Sequence, residues 1–203
     1  MQTFPYTDLA DAPAEGAEVS CDFPVDIVGE GGDTDTGVEQ RNALSVFPRH
    51  SVTVAWDRDA NSEERVNTLW AFYNSTRGPL LPFVYFDFNP GRSWPGLYVG
   101  VGNGSALAFD APVLSWSSAA VSVNGVVKTP GTHYALAPGA GANGRARLTF
   151  TAGNAPADKS IVTISFTGRA AFVMRFPRTF SYRLFSAALY STGITLREVK
   201  GES

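Results

Sequence analysis

The chain contains few of the residues that most often carry chemistry in proteins. Only one of its 203 residues is a cysteine and only two are histidines. A single cysteine, Cys21, excludes an internal disulfide framework and favours assembly in a reducing cytoplasm. His50 and His133 lie far apart in the chain, and neither has zinc-ligand spacing to Cys21 or to the other histidine. A structural zinc site is therefore not expected.

Long hydrophobic runs are also missing. No apolar run approaches the roughly 20 residues that a bilayer-spanning helix needs. Residues 1–20 lack the basic start and the apolar centre of a secretory signal. The sequence therefore predicts a soluble chain with no membrane segment and no leader that is removed.

Basic residues are absent from the first part of the chain. All 16 Lys and Arg residues lie at or beyond Arg41, whereas residues 1–40 contain 10 of the 19 acids. The remaining 9 acids and 16 bases give the rest of the chain a net charge of +7. A segment with charge of one sign either is solvated or lies against a basic surface. Both alternatives stay open: a solvated arm, or docking on a basic face of a neighbouring copy or partner.

The 20 glycines and 13 prolines are spread along the chain and favour short elements separated by turns. One helix is predicted, over residues 61–77, with Asn61 as its cap and Glu64 reaching back to it. Gly78 and Pro79 are expected to end it, Gly78 in a left-handed conformation, and an aromatic strand follows over residues 82–88. The apolar stripe of this helix consists of Val66, Leu69, Trp70 and Tyr73.

Short strand candidates separated by turn residues fill the region from Leu97 to Gly168. Asn124-Gly125, between two valine-rich runs, is the strongest hairpin signal in the chain because both residues tolerate positive φ. We predict a mostly β protein with minor α content. Residues 1–96 together with 170–203 form a β-rich core barrel or sheet with one bracing helix, and residues 97–169 form an inserted peripheral β-sandwich.

The residue patterns predict neither an enzyme nor a cofactor site. A histidine could activate Cys21 as a nucleophile, but a lone cysteine beside Phe23-Pro24 is more typical of a small buried apolar residue. Asp33 and Asp35 could offer two carboxylates to calcium, but a third acidic position and a closing glutamate are missing. Arg145 and Arg147 lack interleaved aromatic residues, so no sequence-specific nucleic-acid contact is expected.

A series of motifs gives the chain a resemblance to a known family. In order, they are Phe23-Pro24-x-Asp26-Ile27, Val38-Glu39-Gln40-Arg41-Asn42, the helix with Leu69-Trp70-Ala71-Phe72-Tyr73, Arg77-Gly78-x4-Phe83, Val121-x-Val123-Asn124-Gly125-Val126 and Arg175-Phe176. Their order and spacing over residues 23–199 resemble the distal tail proteins of long-tailed bacteriophages and phage-derived gene transfer agents.

The resemblance implies a structural virion protein at the tail tip, assembled in the host cytoplasm. In that family, identical copies form a hexameric ring that connects the tail tube protein to the baseplate hub protein. The expected partners are therefore other copies of the chain, the tube protein and the hub protein. The candidate contacts between copies are Glu39, Gln40, Arg41, Asn42, Arg77 and Arg175.

Two other functions stay open. The region of residues 97–169 could be a carbohydrate-binding, receptor-binding accessory module that presents Tyr98, Trp116 and Tyr134 to a host-surface glycan. The third possibility is a small tail-associated hydrolase, but the sequence lacks an evident base, nucleophile elbow and metal site.

Overall fold

The structure is a computed structural model, and it describes residues 1–7, 12, 17–22, 25–28, 40–43, 47–59, 62–186 and 189–199. Within these ranges, α1 spans Ser62–Ser75 and is the one α-helix. The strands are β1 (Gln2–Thr3), β2 (Ala17–Asp22), β3 (Val25–Val28), β4 (Gln40–Ala43), β5 (Arg49–Asp59), β6 (Phe83–Phe86), β7 (Ser93–Val101), β8 (Ala108–Ala111), β9 (Val113–Val123), β10 (Val126–Val127), β11 (Tyr134–Ala137), β12 (Ala146–Phe150), β13 (Ile161–Arg175), β14 (Tyr182–Ser186) and β15 (Leu189–Glu198). The prediction of a mostly β fold with one helix is confirmed.

The main sheet has the strand order β1-β6-β13-β15-β5-β2, and β14 pairs with β15. Strands β5 and β15 alternate between a buried face and a more exposed one, whereas β6 and the main-sheet part of β13 are buried on both faces. Val52 and Val54 of β5 are fully buried, whereas the hydroxyls of Thr53 and Thr195 face solvent and lie 3.0 Å apart. This period of two is the expected consequence of strand geometry, and it gives the sheet one apolar face for the helix to cover.

Helix α1 covers that apolar face and contacts β15 and β5. Val66 and Leu69 are buried, and the Phe72 ring meets the Phe83 ring edge to face at 5.2 Å. The predicted apolar stripe is therefore present, with one correction. Trp70 is 45% exposed, because it lies at the edge of the helix contact against Phe180. No helix within the described ranges reaches the length and apolar character that crossing a bilayer requires.

Helix α1 ends in a left-handed turn. The Gly78 N–H donates to the Tyr73 carbonyl at 2.8 Å and the Arg77 N–H to the Asn74 carbonyl at 3.0 Å, the pattern of a Schellman motif. Gly78 has the expected positive φ of 61°, and Arg77 before it already has a φ of 54°. The helix is shorter than predicted at its C-terminal end, and the predicted cap Asn61 lies outside the described residues.

Two further sheets form a second layered unit. One contains β7, β9, β10 and the first part of β13, and the other has the order β11-β12-β8. Buried side chains such as Val121 and Ile164 of the first sheet and Leu148 of the second belong to one continuous core. Asn124 and Gly125, both with positive φ, join β9 to β10 in the predicted hairpin.

Strand β13 belongs to both parts of the molecule. Its residues 161–170 pair with β7 and β9, and from Ala171 onward it pairs with β6. The change of partners falls between Ala170, opposite Val113, and Ala171, opposite Phe86. The two parts are therefore joined by an uninterrupted strand rather than by a linker.

Gly168 lies just before this change of partners. It has a φ of 154°, and a Cβ added there would overlap the Ser115 carbonyl oxygen and lie 2.7 Å from the Trp116 Cα. Its N–H donates to the Arg92 carbonyl at 2.9 Å, and its carbonyl accepts from Trp94 Nε1 at 3.0 Å. Only glycine lets β9 approach β13 this closely.

We expect Gly168→Ala to lower the free energy of unfolding by about 2–4 kcal/mol, because the added methyl group must push two backbones apart. Gly193→Ala is the matched strand control, since its Cβ would meet only the Ala55 methyl group at 3.9 Å. That control should change stability by less than about 0.5 kcal/mol. Urea unfolding of both variants measures the difference, and equal effects would contradict the close approach.

Candidate functional site

A cluster of buried charge lies where the chain passes from the main sheet into the second unit. Asp87 is completely buried, and its N–H donates to the Ala170 carbonyl at 2.9 Å. Arg92 Nη1 lies 3.4 Å from Asp87 Oδ1, and Arg169 Nε donates to the Asp87 carbonyl at 2.7 Å. We call Asp87, Arg92 and Arg169 the junction cluster.

The junction cluster also holds the N-terminal region. Arg92 Nη2 donates to the Ala17 carbonyl at 2.9 Å, and Arg169 Nη2 donates to the Thr7 carbonyl. Two guanidinium groups thus bind backbone oxygens of the acidic first part of the chain. Arg92 therefore lies between the Asp87 carboxyl and the start of β2, and Arg169 joins the Asp87 backbone to that of Thr7.

Burial raises the pKa of the Asp87 carboxyl above its ordinary value. The Arg92 guanidinium is the strongest opposing influence, followed by the backbone N–H of Asn89 and by Arg169. Burial, with a smaller contribution from Asp87, also raises the pKa of the Tyr85 hydroxyl. A shifted carboxyl in an open cleft would suggest acid–base chemistry. Asp87 is instead enclosed, so a substrate cannot reach it, and its role is to organise the junction.

An open groove of about 500 Å³ lies beside β2 and is lined by Cys21, His50 and Trp94. His50 Nδ1 lies 2.6 Å from Glu198 Oε2, and the imidazole stacks on the Phe172 ring at 4.8 Å. Both partners belong to strands on the side of β5 away from β2. The His50 ring is therefore held by the core rather than directed at the cysteine, which gives no support to Cys21 as an activated nucleophile.

Cys21 itself is exposed. The expectation of a buried apolar cysteine is therefore wrong, because Cys21 is on β2, the last strand in the order of the main sheet. Its register partner His50 is the buried member of the pair.

His133 has a local structural role. Its Nδ1 accepts from the Thr129 N–H at 3.1 Å, within the loop that precedes β11. Among the residues that the structure describes, no group of three or more His, Cys, Asp or Glu side chains could hold a metal ion. Asp33 and Asp35, the candidate calcium ligands, lie outside the described residues, so the ion-binding hypothesis stays a prediction.

The residues predicted to contact other copies fall into two groups. Gln40, Arg41 and Asn42 are on β4, which pairs with β3, and only their backbone is described. Glu39 lies outside the described residues.

The second group, Arg77 and Arg175, is brought together at the end of α1. Arg77 is exposed in the turn that ends the helix. Arg175 Nη1 donates to the Pro79 carbonyl of the same turn at 3.4 Å. Two of the predicted contact residues therefore share one end of the main sheet.

The three aromatic residues suggested for glycan binding lie in different surroundings. Tyr98 stacks on Phe47 with ring centroids 3.6 Å apart, and Trp116 is half-buried against the core. Tyr134 is 2% exposed and packs against Phe150, so its ring has no face open to a sugar. These three side chains do not form one aromatic platform, which corrects the expectation for Tyr134 in particular.

The junction cluster was not predicted from the sequence. The available signal was an acid, Asp87, directly after an aromatic strand and five positions before an arginine, Arg92. Nothing in that spacing indicates Arg169, which is distant in the chain and reaches Asp87 only because β13 runs beside β6.

Comparison of the sequence with protein-family models and with curated proteins found no significant match. The function proposed below therefore depends on the charges, the contacts and the order of the motifs.

We expect Asp87→Asn to alter the pH dependence of stability. Since the folded state raises the pKa of Asp87, its protonated form is favoured by folding. This contribution is fully present below the ordinary carboxyl pKa of about 3.9 and is lost as the pH rises through the folded-state pKa. The free energy of unfolding of the wild type, relative to Asp87→Asn, should therefore fall as the pH rises from about 4 to neutrality.

Urea unfolding at a series of pH values measures this difference, with Asp158→Asn, an exposed site, as the control for loss of one acid. A difference that grows in favour of the wild type with rising pH would show that the two arginines outweigh the burial of the carboxylate.

Proposed function

We propose that the chain is a structural protein whose copies form a ring at the distal end of a phage-type tail. In this role it connects the tail tube protein to the baseplate hub protein. The ordered motifs over residues 23–199 support the proposal through their resemblance to distal tail proteins. A mostly β core with one bracing helix is the architecture that this resemblance implies.

The observation that carries the proposal is the separation of charge along the chain. Residues 1–40 have a charge of −10, and the remainder has a charge of +7. In a ring, each subunit meets its two neighbours through different surfaces, and those surfaces must complement each other. A chain with one acidic region and one basic region has the charges from which complementary surfaces of this kind can be built.

The fold adds a mechanical reason. A ring subunit must keep its two contact surfaces in a fixed relation, and a connector must carry load between its parts. Strand β13 extends through both parts of the molecule. The junction cluster binds the N-terminal region beside the point where β13 changes its partner strands. Both features favour a rigid scaffold over two domains that move independently.

The carbohydrate-binding alternative receives no specific support from the structure, because its three aromatic residues do not share a surface. Carbohydrate binding is therefore kept as one outcome that the following experiment can detect. Binding of the full chain to a glycan array, lost in Trp116→Ala, would favour it over the scaffold function.

The proposal predicts that the purified chain forms a closed ring with a central hole, alone or on added tail tubes. Negative-stain microscopy and light scattering after size exclusion measure this directly. Association should weaken between about 0.01 M and about 1 M salt, because the screening length falls from about 30 Å to about 3 Å.

Replacing acids by amides within residues 1–40 is a better test than deleting these residues. A deletion would remove Phe4, which is 1% exposed and belongs to the core. Asp8→Asn, Asp11→Asn and Glu15→Gln together should reduce assembly without unfolding the chain. Monomers under every condition, including with tail tubes present, would refute the ring.

A further inference from the structure

Two large aromatic side chains are exposed where helix α1 approaches strand β14. Trp70 is 45% exposed and Tyr182 is 49% exposed, and their rings meet edge to face at 6.4 Å. Leu184, which is 55% exposed, lies two residues along β14 and therefore on the same side as Tyr182. Exposed Trp and Tyr side chains in one place are typical of protein interfaces.

Two arginines lie beside these apolar side chains. Tyr73 connects them, because its ring is 6.4 Å from the Trp70 ring and its hydroxyl donates to the Arg178 carbonyl at 2.7 Å. The turn with Arg77 lies against the same tyrosine, since a Cβ at Gly78 would come 2.8 Å from the Tyr73 hydroxyl. Arg77 and Arg178 are both exposed. We call Trp70, Arg77, Arg178, Tyr182 and Leu184 the apolar-basic patch.

The sign of the charge is specific to this end of the helix. The acids of α1, Glu63 and Glu64, lie in its first turn, where they complement the positive end of the helix dipole. Arg77 and Arg178 are at the opposite end of the helix, together with the exposed apolar side chains. An acidic partner is therefore attracted to the patch.

Strand β2, which belongs to the acidic region, and the patch lie on opposite sides of the main sheet. The first residues of the chain lie instead beside the end of α1, where Gln2 Oε1 accepts from Ser75 Oγ at 3.0 Å. β2, which belongs to residues 1–40, pairs with β5, and β5 pairs with β15. β14 pairs with β15, on the side away from β5. β2, with the exposed Glu18, therefore cannot reach the patch of its own subunit, but it can reach the patch of a neighbour placed head to tail.

We infer that the apolar-basic patch binds the acidic N-terminal region, residues 1–40, of a second copy of this chain. The inference rests on the proposed ring function and names the surfaces through which the copies join. Trp70, Tyr182 and Leu184 provide the apolar contact, and Arg77 and Arg178 select a partner region that has no basic residue. Because the contact is heterologous, each subunit uses its patch to bind one neighbour and its acidic region to bind the other.

The first test reverses the charge of the patch. Arg77→Glu with Arg178→Glu should weaken association at low salt by about tenfold or more, because attraction becomes repulsion at both positions. Lys128→Glu with Arg197→Glu is the matched control. It makes the same change in net charge away from the patch, at a residue that follows β10 and at a residue of β15. Light scattering across a concentration series measures association, and thermal unfolding shows that each variant is folded.

The apolar side chains of the patch are tested with a second variant and a matched control. Leu184→Ser should weaken association, whereas Val126→Ser, at a position that is 61% exposed on β10, should not. Equal association of the patch variants and their controls would overturn the inference. If the wild type forms rings and all variants do so equally well, the ring function survives and the assigned surface does not.

A cross-linking experiment identifies the bound region. Arg178→Lys introduces an amine that a carbodiimide can join to a nearby carboxylate. Light and heavy isotope-labelled chains are mixed, assembled and cross-linked, and the peptides are identified by mass spectrometry. The inference predicts that position 178 is joined to acids of residues 1–40 in pairs of one light and one heavy chain. Joining only within one chain, or only to acids beyond residue 40, would overturn it.

Discussion

The whole molecule depends on one strand that is shared by two sheets. β13 completes the second unit through residues 161–170, and from Ala171 onward it forms part of the main sheet. Its hydrogen bonds to both sets of neighbours fix the orientation of the two parts, because a strand cannot bend freely without losing them. Gly168 and the junction cluster lie at the point where this strand changes partners.

Where β13 changes its partner strands, neighbouring backbones come unusually close, and specific residues allow this approach. At Gly168 the absence of a side chain lets β9 approach, and the Trp94 indole donates to the Gly168 carbonyl. Asp87 and Arg169 then connect the end of β6 to the start of the main-sheet portion of β13. Burial of the Asp87 carboxyl, with Arg92 Nη1 at 3.4 Å, is costly unless it is well compensated. The position of Asp87 beside the change of β13 partners indicates that it helps to specify how the two parts are arranged.

A rigid subunit with separated charge is suited to closed assembly. The acidic N-terminal region and the apolar-basic patch are complementary in sign, and strand β2 of that region lies on the opposite side of the main sheet from the patch. A flexible connection between those sides would let one chain satisfy its own charges or form open aggregates. The shared strand and the junction cluster limit this freedom, which is why the architecture and the proposed function belong together.

Local sequence signals predicted local structure well. The helix, its left-handed end and the Asn124-Gly125 hairpin are all present because short-range geometry determines them. Positions that depend on distant neighbours were less predictable. Trp70 fits the apolar stripe by spacing, but it lies at the edge of the helix contact and is 45% exposed, which depends on the distant neighbours Phe180 and Tyr182.

The candidate sites show the same limit. Tyr134 is aromatic and lies in a turn-rich region, but the partner strand β12 places it in the core. Cys21 is exposed because β2 is the last strand in the sheet order, and no local pattern contains that information. The junction cluster joins residues from two distant parts of the chain, so predicting it requires the order of the strands in the sheet.

Native-state hydrogen exchange of β13 tests the shared-strand constraint most directly. If both parts depend on this strand, the amides of residues 162–166 and of residues 172–174 should open together, with the same free energy and the same denaturant dependence. Exchange of residues 162–166 through a separate opening of lower free energy, while residues 172–174 stay protected, would show that the two parts are independent and would contradict the rigid scaffold.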